Sequence, residues 1–99
     1  YEDDREVLKA IIDEYLLSFS TALQNIKVYL ASNNFVRLAE EFHALKGGAS
    51  YLEAERIQHA SANLEKLAEG QVVREILIGL PAFEEEYKRF KKEVESKEW

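Results

Sequence analysis

Phe35, Leu38, Phe42, Leu45, Ala49 and Leu52 recur at spacings of 3, 4, 3, 4 and 3, straight through the adjacent glycines Gly47 and Gly48. Only an α-helix places such a series on one face. Glycine in a helix interior costs about 1 kcal/mol relative to alanine. A helix that keeps two in succession therefore keeps them for something other than its own propensity. They do not end the helix either, because the apolar series continues beyond them to Leu52.

On this helix His43 lies more than a quarter turn away from the centre of the apolar stripe, at about 100° per residue. It therefore faces water or a partner rather than the core. One turn to either side on the same face are Ala39, Glu40, Lys46, Gly47 and Ser50. Most of these are small, so the imidazole stands on a low-relief strip with an ammonium group beside it. Such a strip offers a ring nitrogen as nucleophile, a point charge that suits a phosphoryl group, and room for another protein's backbone. An exposed histidine one turn from a lysine is common on solvated helix faces. The two interior glycines set this one apart, since a solvated face gains nothing from them.

The run His43-Ala44-Leu45-Lys46-Gly47 resembles the His-x-x-Lys-Gly signature of histidine phosphotransfer (HPt) domains of two-component phosphorelays. The likeness extends through Phe42 to Leu52 and on through Ala54-Glu55-Arg56-Ile57 to Leu64-Glu65. It implies that His43 accepts a phosphoryl group, that Lys46 stabilises it, and that Gly47 permits a receiver domain to dock closely. Gly48 falls where the family carries another small residue. The docking strip expected on this basis is Ala39, Glu40, Gly47, Gly48 and Ser50. Glu53 departs from the family pattern, which has a helix-ending glycine at that position. Glu65 stands nearest to where a Gln or Arg sometimes assists the phosphoryl group. A carboxylate would repel it, so no role is carried over to Glu65.

Ninety-nine residues, of which 46% are hydrophobic, suffice for one small domain over 1–99. There is no methionine and the chain begins at Tyr1, which is the expectation for a piece of a longer signalling protein. The absence of cysteine removes disulfides and thiolate metal sites and fits a reducing compartment. No apolar run approaches the roughly 20 residues that span a bilayer. A cytoplasmic location is expected, including as the cytoplasmic part of a membrane-anchored sensor kinase. The net charge of −6 argues against nucleic acid. The acidic clusters Glu2-Asp3-Asp4 and Glu84-Glu85-Glu86 read as helix N-termini.

Along the rest of the chain, Leu8, Ile12, Tyr15, Phe19, Leu23, Ile26 and Leu30 form a first stripe. Ser18, Ser20 and Thr21 suggest a break, giving a short helix over 4–17 and a longer one to 31, or one fused helix. Asn34 is a natural cap for the histidine helix, which should run to about residue 51. A further helix over 54–68 ends at Gly70, and a last over 72–95 should kink or split at Gly79 and Pro81. No segment alternates as a strand does. The expected fold is all-α: an antiparallel up-down-up-down four-helix bundle with an additional N-terminal helix.

Other chemistries have little to stand on. His59 lies on an outer flank with neither cation nor glycine beside it and reads as a surface histidine. Neither a His-Glu-x-x-His series nor paired Glu-x-x-His motifs are present, so no metal site is expected. No strand-turn-helix elbow activates Ser50 for hydrolysis. The reading is a monomeric phosphocarrier without turnover of its own, moving a phosphoryl group on His43 between aspartates of receiver domains. It needs no cofactor, the divalent metal (Mg²⁺) residing in the receiver. The alternatives are the phosphorylatable N-terminal domain of a chemotaxis-type histidine kinase, or a helical docking module that binds receivers without being phosphorylated.

Overall fold

Each of the first three helices ends in the same turn, and that turn decides how the chain folds back. The amides of Asn34, Ala54 and Val72 donate to the carbonyls five residues earlier, Tyr29, Ala49 and Leu67, at 2.8–2.9 Å. The residues just before them, Asn33, Glu53 and Gln71, take left-handed backbone at φ 58°, 59° and 58° and donate to Leu30, Ser50 and Ala68. These are Schellman closures, which satisfy the orphan carbonyls of a helix end. Asn34, Ala54 and Val72 then cap the following helix, and the Asn34 side chain accepts from the Arg37 amide at 3.3 Å.

The computed structural model describes residues 4–96 and consists of α1 (Asp4–Ala31), α2 (Phe35–Tyr51), α3 (Glu55–Glu69) and α4 (Val73–Glu95). Successive helices pack against each other, and α4 closes the ring on α1. With such short connections, packed neighbours run antiparallel. Phe19, Phe42 and Phe83 are fully buried at the centre. The Phe83 ring lies 5.1 Å from Phe19 and 5.7 Å from Phe42. Ile12, Leu16 and Val94 form a smaller cluster between α1 and α4.

Several expectations need correcting. No additional N-terminal helix exists among the described residues, because α1 runs unbroken for 28 residues. Ile12, Leu16, Phe19, Ala22 and Ile26 bury one continuous stripe, and that packing outweighs the weak propensity of Ser18, Ser20 and Thr21. Likewise α4 is not split at Pro81. The carbonyl that Pro81 leaves without its helical donor belongs to exposed Leu77, where water can serve it. Glu84, Glu85 and Glu86 sit inside α4, not at a helix start, and pair there with Lys27, Lys88 and Arg56. Asp4 and Glu6 do occupy the first turn of α1, while Glu2 and Asp3 lie outside the described residues. The α3 stop differs as well, since Gly70 is right-handed at φ −84° and Gln71 takes the left-handed place.

Left-handed backbone costs a residue with a Cβ roughly 1–2 kcal/mol. Glu53→Gly should therefore stabilise the domain by about 1 kcal/mol, read as a higher urea midpoint with an unchanged slope. A lower midpoint would mean that the Glu53 side chain contributes more than its backbone angle costs.

Candidate functional site

The most extensive packing in the bundle is that of α2 with α3. Ala49 of α2 and Ala68 of α3 are fully buried, and side chains at the outer margin of the two helices meet. His43 and Lys46, one turn apart on α2, both reach Glu65 on α3. Glu65 Oε2 lies 3.0 Å from His43 Nδ1, and Glu65 Oε1 lies 2.8 Å from Lys46 Nζ. The carboxylate side chain is 14% exposed, the Lys46 side chain 33% and the imidazole 68%. The Lys46 hydrogen bond above all, and the His43 hydrogen bond with it, hold the Glu65 carboxyl below its ordinary value of 4.5 despite partial burial.

This geometry assigns the imidazole protons. A carboxylate only accepts, so the nitrogen facing it, Nδ1, is the one that donates. In the neutral ring Nε2 then carries the lone pair, on the side of the ring away from Glu65. The ring is fixed at one nitrogen and available at the other.

The other expected site residues separate into two groups. Ala39 and Glu40 line a groove of about 500 Å³ beside His43, together with Phe35, Val36, Ala44 and Ala68. Gly47 is exposed, and a Cβ built on it would meet nothing within 4 Å; Ser50 is exposed too. Gly48 does not belong to the open strip. The Tyr15 ring of α1 covers it, so that a Cβ there would overlap Tyr15 Cε1 and stand 2.7 Å from Cδ1. Tyr15 is fixed by donating its hydroxyl to the Leu45 carbonyl at 2.8 Å, and burial pushes its phenol pKa up. Gly48 is thus where α1 presses on α2. His59 is an exposed residue of α3.

Glu65 is the site member that sequence reasoning missed. It lies 22 residues from His43, too far for any helical spacing to connect them. The argument that a carboxylate repels phosphate set it aside. The likeness itself, which puts Glu65 where a Gln or Arg sometimes assists the phosphoryl group, was the available signal.

A second ion pair ties α3 to α4. Arg56 Nε and Nη2 donate to the Glu86 carboxylate at 2.8–3.1 Å and hold its pKa below 4.5. Carboxyls whose folded-state pKa is depressed stabilise the fold above their ordinary value, and that contribution is lost as pH falls through the folded value. Urea midpoints should therefore drop on acidification below about pH 5, and Glu86→Gln should make the drop shallower. An identical profile for the variant would show that the Arg56–Glu86 pair contributes nothing.

Among the described residues no helix is long and apolar enough to cross a membrane. Among the described residues no group of three or more His, Cys, Asp or Glu side chains could hold a metal ion. Comparison with curated proteins and with solved structures finds no match. The family model described as the Hpt domain matches residues 10–95, a span that includes α1 from residue 10 on, the other three helices whole, the His-x-x-Lys-Gly run and Glu65. The chain belongs to the Hpt domain family, whose members carry phosphoryl groups on histidine in phosphorelays.

Proposed function

We propose that this chain accepts a phosphoryl group on Nε2 of His43 from an aspartyl phosphate of one receiver domain and yields it to an aspartate of another. The observation that carries this reading is the Glu65–Nδ1 hydrogen bond at 3.0 Å on a ring that is otherwise 68% exposed. It turns the attacking nitrogen toward the approaching partner. In the transfer, the Nε2–P bond forms as the bond from phosphorus to the aspartate oxygen breaks. The electron pair leaves with the receiver's carboxylate. The Nδ1 proton remains on the ring, held by Glu65. Lys46 offers its ammonium to the phosphoryl oxygens. Gly47 leaves the space into which the receiver's backbone comes, and the groove through Ala39 takes its apolar surface. The receiver supplies the divalent metal and the acidic pocket, so the chain alone turns nothing over.

The test is incubation with a panel of receivers phosphorylated on aspartate. Acid-labile, base-stable label should move from at least one receiver to this chain, and back to a second. Complex formation without label transfer would instead identify a docking module. Labelling only by an ATP-bound kinase domain, and by no phosphorylated receiver, would identify the phosphorylatable domain of a kinase.

A further inference from the structure

Resting on the acceptor reading above, the two oxygens of Glu65 imply a regulation of the same site. Oε2 takes the Nδ1 proton of His43, while Oε1 occupies the Lys46 ammonium at 2.8 Å. Lys46 is also the cation one turn from His43, and a phosphoryl group on Nε2 carries close to two negative charges near neutral pH. An ammonium has three donors but a single charge, and both anions draw on that one charge. If Lys46 turns to the phosphoryl group, the Glu65 carboxylate, only 14% exposed, keeps a single hydrogen bond. If Lys46 stays with Glu65, the phosphoryl group is left without that ammonium and with a second anion across the ring.

We propose that Glu65 is a built-in competitor of the phosphoryl group for Lys46, which destabilises the phosphorylated form and drives the group onward to a receiver. One carboxylate then has two opposed effects. Through Oε2 it holds the Nδ1 proton and favours attack by Nε2. Through Oε1 it limits how long the product stays. No atom is added or lost relative to the transfer already described; only the distribution between His43 and the receiver's aspartate changes. Glu65 is a positioning residue here, because it acts through His43 and Lys46 rather than on phosphorus.

The experiment measures the ratio of phosphorylated chain to phosphorylated receiver at equilibrium, approached from both sides, for the wild type, Glu65→Gln and Glu65→Ala. Both variants lose the competing charge and should raise the ratio roughly tenfold, the order expected when a like charge on the far side of the imidazole ring is removed. They should also lengthen the phosphohistidine half-life, while Glu65→Ala, lacking an acceptor for Nδ1, transfers more slowly. A residue of structural importance alone would move the urea midpoint and leave this ratio unchanged. A phosphorylated wild type beside variants whose ratio is unchanged or lower overturns the competition and leaves the acceptor reading standing. A wild type that takes no phosphoryl group on His43 overturns both.

Discussion

His43→Gln should abolish phosphoryl acceptance completely while changing stability by no more than about 0.5 kcal/mol, as for an ordinary surface substitution. The ring is exposed and outside the core, and Glu65 keeps its ion pair with Lys46 when the imidazole is gone. No other group on the open strip is a nucleophile of comparable kind. His59→Gln, at an exposed position of α3, should leave transfer intact and serves as the control. Acceptance that survives the loss of His43 and disappears with His59 would reverse the assignment.

The two glycines should respond in opposite directions. Gly48→Ala forces a methyl group against a Tyr15 ring that cannot swing away without losing its hydrogen bond to Leu45. Overpacking of this kind costs about 1–3 kcal/mol, and the lost hydrogen bond adds about 1 kcal/mol. The gain in helix propensity returns about 1 kcal/mol. The net expectation is destabilisation by about 2 kcal/mol, or a fall in Tm of roughly 10 °C for a chain of this size. Gly47→Ala meets nothing and should stabilise by up to about 1 kcal/mol. Gly47→Gln should keep that stability and yet block transfer, because its side chain fills the receiver's approach. Paired urea melts and transfer assays check all three variants. A stable Gly48→Ala would remove Tyr15 from the account, and a Gly47→Gln that transfers at the wild-type rate would remove the open strip.

That contrast also shows how far the chain could be read before its fold was known. The apolar series through both glycines placed α2, with the Asn34 cap at its start, an end near residue 51 and His43 facing outward, because helical spacing is a local property. The likeness around His43 assigned it to the right family. What escaped reading was decided by contacts between helices. Gly47 and Gly48 are alike as neighbours in sequence, and only Tyr15, arriving from α1, makes one of them a packing site. Ser18, Ser20 and Thr21 suggested a break in α1 that the buried stripe around Phe19 and Ala22 overrules. Glu65 was set aside for the charge that, once folded against Lys46 and His43, makes it part of the site.

The central claim is that Nε2 of His43, left free because Glu65 holds Nδ1, is the atom that carries phosphorus. Phosphorus and nitrogen NMR of the ¹⁵N-histidine-labelled chain, after exchange with a phosphorylated receiver, tests it most directly. The account predicts a single phosphohistidine at residue 43, with phosphorus coupled to Nε2 and the proton of the unphosphorylated ring on Nδ1. Phosphorus on Nδ1, on His59 or on no histidine would contradict it.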